Sequence, residues 1–536
     1  MSQALGEIAA TLGGAKARAS GQRKGYSTML ISLAGAVTPD GGPEGALELA
    51  AMLESQGVTD AVAARYGTAD VFALAHQLLA LPRASEPPAA PAMQIVAGWE
   101  PALLLRSLLR SALMIAMMGM LLVGVQAYER AMRALGVPGW TTMLGLLAAM
   151  AIAGGMMQAS GWRVSQALSQ GTTRAVRPLL LLGLAFGMSI ALAVSAALVG
   201  GGMLLELPPA GLAGLGASCL ALTLLLLLSG SLVLLERTHW AGAALGLAGG
   251  GAWLAHSAHA LGADPRTAVA LSYLAAIALL AALLALAIRQ VSRAADRGIY
   301  RVPPAGQMLY NAAPYLAYGA LAVIYVFAGQ LNGWLGRVPD GWTRDQAIAA
   351  LNVAHLLSLA TVVISQGVAE YALRLFWGAI RAAQSEALVC DYAAIRASVQ
   401  LFLRRHLRMV LLGQALASLA VAALAQWLWA RYPLEALLGP LVTPMLYISL
   451  AGYSLLAWGL YGCGFAVTVA RPWPAVRALL AAATLEFASG LLLGQAGGFA
   501  LSVVGVVVGG AWLALSTRRM IAQMLDRVDY LLYQAF

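Results

Sequence analysis

Apolar residues in this chain come in long unbroken runs, not in the alternation of a half-buried strand or the stripe of an amphipathic helix. Crossing the hydrocarbon of a bilayer takes a helix of ~20 apolar residues. From residue 102 onward the chain holds twelve runs of that length. They lie at roughly 104–126, 139–161, 178–201, 211–235, 240–262, 267–288, 308–330, 346–370, 409–430, 437–468, 474–495 and 498–517. The pattern predicts an all-α membrane protein of about twelve transmembrane helices. Glycines recur inside the runs four residues apart, as Gly242 with Gly246, Gly246 with Gly250 and Gly505 with Gly509, a spacing that lets helix backbones approach. Pro314 in the seventh run and Pro440 and Pro444 in the tenth remove backbone donors and are expected to bend or break those helices.

Residues 1–82 read differently. "PEGALELAAMLESQG" (43–57) offers Pro at a first helical position and Gly at the stop, and "TADVFALAHQLLALP" (68–82) a cap, helical apolar spacing and a terminating Pro. They predict a small helical cytosolic module, a docking place for a protein partner, in which His76 is a surface or core residue and not a ligand. "RASEPPAAPAM" falls in a stiff Pro/Ala-rich linker over 83–101. The basic residues Lys16, Arg18, Arg23 and Lys24 ahead of "MLISLAGAV" (29–37) mimic a signal peptide, but the segment is read as part of the module. At the other end, residues 518–536 predict an amphipathic tail on the inner surface or on the module.

Charge then assigns sides. Only 10% of residues are charged and mean hydropathy is +0.77, whereas soluble domains carry about 25% charged residues, so most of the chain is solvated by lipid. The formal net charge of +10 does not point to nucleic acid, because the cations flank apolar runs and face lipid headgroups. With the N-terminus in the cytoplasm, 27 of the 33 Lys and Arg residues fall on the inner side. Basic residues resist translocation, so this asymmetry predicts a multi-pass protein of the cytoplasmic (inner) membrane with both termini inside. Cys219, Cys390 and Cys463 are far apart and lack metal-ligand spacing, and no nucleotide loop is present, so no metal or cofactor is expected.

Inner stretches after runs two and eight occupy the same place in successive sets of six. They are "GWRVSQALSQGTTRAVRP" (161–178) and "AEYALRLFWGAIRAAQSEALVCDYAAIRASVQLFLRRHLR" (369–408). This predicts two parallel repeats about an axis along the membrane normal: six-helix lobes at 102–288 and 308–517, joined by an inner loop at 289–307. Arg374 and Arg381 opposite Leu373, Phe376, Trp377 and Ile380 make 371–408 an amphipathic segment at the inner lipid surface, with a cytosolic helical hairpin as the alternative. With Ser165, Gln166, Ala167, Leu168 and Gly171 followed by Arg174 and Arg177, residues 102–517 resemble the multidrug/oligosaccharidyl-lipid/polysaccharide (MOP) flippase superfamily, including its polysaccharide exporters. That resemblance implies alternating access, in which the lobes rock to expose a central path to one side and then the other. For the polysaccharide branch it implies a lipid-linked oligosaccharide or polysaccharide as cargo.

Ionisable side chains inside runs are costly and mark function by default. Glu486 stands out in "AAATLEFASG", as a carrier of a coupling proton or cation or else as a neutral structural group. His256, His259 and His355 lie deep in their runs, and Asn311, Gln158, Gln366 and Gln414 add hydrogen-bonding capacity along the same path. Arg106 and Arg110, four apart at the inner start of run one, either grip a pyrophosphate or snorkel to headgroups, and snorkelling is the expectation. Glu370 and Arg374 predict a local helix pair and, with Arg381, an inner gate or inner-surface cluster. Tyr315 and Tyr318 beside Pro314 either stack on sugar rings or simply pack. Outer loops are short, with Asp340 and Asp345 as the acids of the longest, which argues against an enzyme. The alternatives to a glycan flippase are a non-transporting scaffold of an envelope complex and a drug or ion antiporter of the same fold.

Overall fold

A computed structural model of the protein describes residues 46–55, 58–64, 68–79, 100–133, 139–169, 172–257, 265–292, 305–338, 342–386, 392–432 and 439–526. It divides into two compact units, one of 1–99, 374–405 and 524–536, the other of 100–373 and 406–523.

In the first unit, α1 (Ala46–Ser55), α2 (Asp60–Ala63) and α3 (Val71–Leu79) form the small module. Leu49, Leu53, Val58, Leu74 and Leu78 close its core. Asp70 caps α3, its carboxylate accepting the Ala73 amide at 2.7 Å, while Asp60 accepts the Val71 amide at 3.0 Å and ties α2 to the same end. His76 lies exposed. Phe376 packs on Phe402 with ring centroids 5.6 Å apart, and Arg396 donates to Asp526.

The second unit holds α4 (Pro101–Arg133), α5 (Gly139–Ser169), α6 (Val176–Leu204), α7 (Pro209–Leu234), α8 (Thr238–Ser257), α9 (Pro265–Ser292), α10 (Ala305–Leu335), α13 (Val442–Thr468) and α14 (Pro472–Gly497), and most of α11 (Arg344–Glu386), α12 (Tyr392–Arg431) and α15 (Val504–Leu525), whose residues 374–386, 392–405 and 524–525 belong to the first. A long helix thus stands at each of the twelve apolar runs. Among the described residues, 10 of these helices are long and apolar enough to cross a membrane. The protein is a multi-pass integral membrane protein, all helical where it is described.

Three boundaries differ from expectation. Run eight, expected to end at 370, continues as one 43-residue helix, α11, to Glu386, and α12 begins at Tyr392. At ~1.5 Å per residue, α11 is about twice as long as the hydrocarbon is thick. Within the segment 371–408, residues 371–386 continue α11 and 392–408 belong to α12. Pro440 and Pro444 sit at the turn before α13 and in its first turn, where a missing amide costs nothing, so they do not interrupt it. Pro314 lies inside α10, which stays helical throughout.

Helices α4–α9 share one core, with Leu146, Val176, Leu180, Leu225, Leu232 and Leu280 at its centre. Helices α11, α12 and α13, with the short turn at 499–503, enclose another, around Leu351, Ala354, Met445, Leu446, Phe499 and Val503. Between these two lobes, α5 packs on α10 and α4 meets α11 at Gly367, where an added Cβ would lie 2.3 Å from Ser111 Oγ. In terms of the runs, these contacts join the second to the seventh and the first to the eighth. A two-fold axis exchanging the sets of six would interconvert these two contacts, an arrangement compatible with parallel repeats.

Candidate functional site

Glu486 is fully buried in the middle of α14. Its surroundings come from four other helices of the second lobe, α10, α11, α13 and α15. Gly505 and Gly509 of α15 bring backbone against backbone: a Cβ at Gly505 would lie 2.5 Å from the Glu486 carbonyl oxygen, and one at Gly509 would lie 2.8 Å from Glu486 Cβ. Asn332 of α10 donates its amide to the Glu486 carbonyl at 3.2 Å. Tyr325, one face away on α10, donates to the Val506 carbonyl at 3.1 Å.

His355 of α11 and Tyr453 of α13 complete the cluster, both buried. Tyr453 Oη lies 3.2 Å from His355 Nδ1 and 3.2 Å from the Val326 carbonyl oxygen. A hydroxyl has one proton; given to the carbonyl, it requires His355 Nδ1 to carry hydrogen and leaves Nε2 as a bare acceptor. Gly329 separates the imidazole from the carboxyl. A Cβ there would meet His355 Cε1 at 2.4 Å and Glu486 Oε1 at 3.3 Å, so only glycine admits both side chains. Four acceptor atoms in this cluster are buried without a hydrogen bond: Glu486 Oε1 and Oε2, His355 Nε2 and Asn332 Oδ1. No Lys or Arg pairs with Glu486 among the described residues. An ionised carboxylate in such a place is uncompensated at a cost of several kcal/mol, so the cluster suits a proton or a small cation as its neutralising occupant. No group of three or more metal-ligating side chains occurs among the described residues.

A second constellation joins the lobes. Arg110 of α4 donates to Glu370 of α11 at 2.7 Å and reaches Glu236, between α7 and α8, at 3.5 Å. Ser107 and Ser111 flank Arg110 on the face that meets Gly367, one turn before Glu370, and the Tyr371 hydroxyl accepts the Glu100 amide at 3.2 Å. Glu236 holds a left-handed backbone, φ 60°, at the end of α7, a strain of order 1 kcal/mol for a residue with a side chain. The conformation lets the Arg237 amide bond the Leu232 carbonyl, closing the helix end next to Arg110.

The sequence-derived candidates are only partly united by the structure. Glu486 and His355 share a cluster. Arg110 is held in the ion pair with Glu370; Arg106 is exposed. Glu370 is committed to Arg110 across the lobes, a contact beyond its expected local pairing with Arg374, which is exposed. Asn311 is half-buried in the first turns of α10, away from the Glu486 cluster further along that helix. Tyr315 stacks on Trp162 at 4.6 Å and Tyr318 is buried, so neither ring is open to a sugar. Gln414 is buried and donates to Thr361 at 2.7 Å, while Gln158 is exposed. His259 and the side chains of His256 and Arg381 lie outside the described residues. Tyr325, Gly329, Asn332, Tyr453 and Glu236 were not singled out from sequence. Asn332 and Glu236 carried a faint signal, as polar residues at the ends of apolar runs.

No family model matches the chain, and no curated protein sequence matches it. Solved structures do. The chain resembles the outward-facing structure of a multidrug resistance MATE family transporter of the MOP superfamily, at 13% identity and a TM-score of 0.53, over 82% of this chain and 100% of the other. A MOP superfamily transporter from Pyrococcus furiosus matches at 13% identity and a TM-score of 0.55, with coverage of 82% and 100%. A MATE transporter from Vibrio cholerae matches at 16% identity and 0.54, with coverage of 79% and 99%. The fold is the one these transporters share.

Proposed function

We propose that the protein is an ion-coupled transporter of the cytoplasmic membrane, with both termini inside, that moves an amphipathic solute by alternating access of its two lobes. One observation carries the reading: Glu486, fully buried in the second lobe, holds two carboxyl oxygens with no hydrogen bond beside a histidine and an asparagine with bare acceptors. A scaffold gains nothing from such a costly group, whereas a coupled transporter fills and empties it once per cycle. The end of the bundle bearing Arg110, Arg163 and Arg237 is where the lobes are clasped, and in this reading it is the cytoplasmic end.

Among cargoes, a small amphipathic compound exchanged for an ion is favoured over a lipid-linked glycan, because Tyr315 and Tyr318 pack against protein and leave no aromatic platform there for sugar rings. Full-length protein in proteoliposomes, given a proton or a sodium gradient, is expected to drive uptake of a lipophilic organic cation. Gradient-driven movement of a fluorescent lipid-linked oligosaccharide, with the organic cation unmoved, would reverse that order. Movement of neither under any gradient would remove the transport reading.

The Arg110–Glu370 pair is expected to hold the basic end shut. Its carboxylate and guanidinium are partly exposed, so losing it should cost about 1–2 kcal/mol, close to tenfold in the open population. Ser107 is buried behind it and serves as the reporter. In a C390S background, labelling of S107C by a membrane-impermeant thiol reagent should quicken about tenfold in R110E and return toward wild type in the exchanged pair R110E/E370R. Equal rates in all three would mean that the pair is not a gate.

A further inference from the structure

A cavity of about 210 Å³ lies between α5, α6 and α10, at the end of the bundle that carries Arg163. Met156, Phe186, Leu309 and Leu316 are among its walls, and Ser160 and Arg163 are its polar points. Gly306 and Leu309 at its rim are exposed. The Arg163 guanidinium lies 4.3 Å over the Trp162 ring, which in turn stacks on Tyr315, so the cation is held in place by a pile of flat groups. Its Nε is shielded from water without a hydrogen bond, and its contact to Gln166 Oε1 is long, 3.4 Å. No carboxylate pairs with it among the described residues, unlike Arg110.

An apolar slot is a poor home for water, which needs several polar partners. A free sugar or inorganic ion would use the guanidinium and waste the walls. An amphiphile uses both, with hydrocarbon in the slot and an anionic headgroup on the planar fork of the guanidinium. With the Arg163 end as the cytoplasmic end, the orientation proposed above, the slot sits at the level of the lipid headgroups, so the available amphiphile is lipid. We propose that this cavity binds an anionic phospholipid, one acyl chain between α6 and α10 and the phosphate on Arg163. The inference is independent of what the protein transports. Two walls belong to the first lobe and one to the second, so the lipid fits only while the lobes are together at this end, and its binding favours that arrangement.

Native mass spectrometry of the full-length protein, equilibrated with equal amounts of phosphatidylglycerol and phosphatidylcholine of identical chains, reads the site directly. Wild type should retain phosphatidylglycerol at least fivefold over phosphatidylcholine. R163Q should lose that preference, with retention down about tenfold, the scale of a lost charge-assisted contact. A312F keeps the charge but fills the slot, and should lose retention equally while unfolding at the wild-type temperature. Equal retention of the two lipids by wild type would overturn the proposal, as would R163Q holding phosphatidylglycerol like wild type. So would inorganic phosphate alone raising the unfolding temperature as much as the lipid does, since the site would then be one for anions and not for lipid.

Discussion

Glu486→Gln is expected to abolish gradient-driven transport, by about two orders of magnitude or more, while leaving the protein folded. Glutamine matches glutamate in size and reach, so packing against Gly329, Gly505 and Gly509 survives. It has no ionised form, so it neither gives up a proton nor neutralises a cation, and any step that depends on that exchange stops. A merely structural Glu486, permanently neutral, predicts the opposite, because a glutamine would serve nearly as well. Glu486→Asp separates the cases further. It keeps the charge but withdraws the carboxyl from Gly329 by one methylene, and should retain a measurable fraction of transport, about a tenth, in the range that misplacement of a working group costs. Binding gives a readout independent of flux. If a monovalent cation occupies the cluster, its salt should raise the wild-type unfolding temperature in a concentration-dependent way and leave E486Q unmoved. Wild-type transport rates in E486Q would remove the coupling site altogether.

The positions of the twelve long helices were legible because lipid imposes one demand on every span, a minimum apolar length, and that demand is local in sequence. Boundaries went wrong where the demand lapses. Run eight is expected to end at Glu370, yet helix propensity is indifferent to the membrane edge and α11 continues to Glu386. Run ten is expected from 437, whereas α13 begins at Val442, after Gly439 takes a left-handed backbone, φ 82°, that only glycine accepts against Trp342. Glu486 was legible for the same reason as the helices, since an acid in an apolar run is conspicuous.

Its partners were not. Tyrosines are common in spans, and what makes Tyr453 matter is a contact to His355, 98 positions away. Arg110 was visible as a cation at a helix start, but its partners are 126 and 260 residues distant. Period and composition do not report which helix lies beside which. The glycine spacing rule fared unevenly for that reason. Gly505 and Gly509 are close-packing positions, whereas Gly246 and Gly250 meet no described atom within 4 Å.

Glycines that no spacing rule selected set the second-largest effect. A single methyl at Gly319 is expected to part the lobes. The ideal Cβ there would lie 2.3 Å from the Gly154 carbonyl oxygen and 2.7 Å from its carbon, and a Cβ at Gly155 would lie 2.7 Å from the Leu316 carbonyl oxygen. These are backbone atoms at the middle of α5 and α10, with no rotamer to yield, so the helices themselves must separate by about 1 Å to restore ordinary contact distances. Overpacking typically costs about 1–3 kcal/mol, and here it falls wholly on the arrangement in which α5 touches α10. Spin labels at the Arg163 end of α5 and the Gly306 end of α10 should report a longer separation in G319A, and longer again in G319L. G200A supplies the control: nothing described lies within 4 Å of that position, so alanine should be neutral or stabilise by about 0.5–1 kcal/mol through helix propensity. If G319A leaves the label distance unchanged, α5 and α10 have room that the geometry denies them, and the crossing is not what keeps the lobes together. If it lengthens the distance and also slows transport, the same close approach both builds the clasped state and must be undone in every cycle.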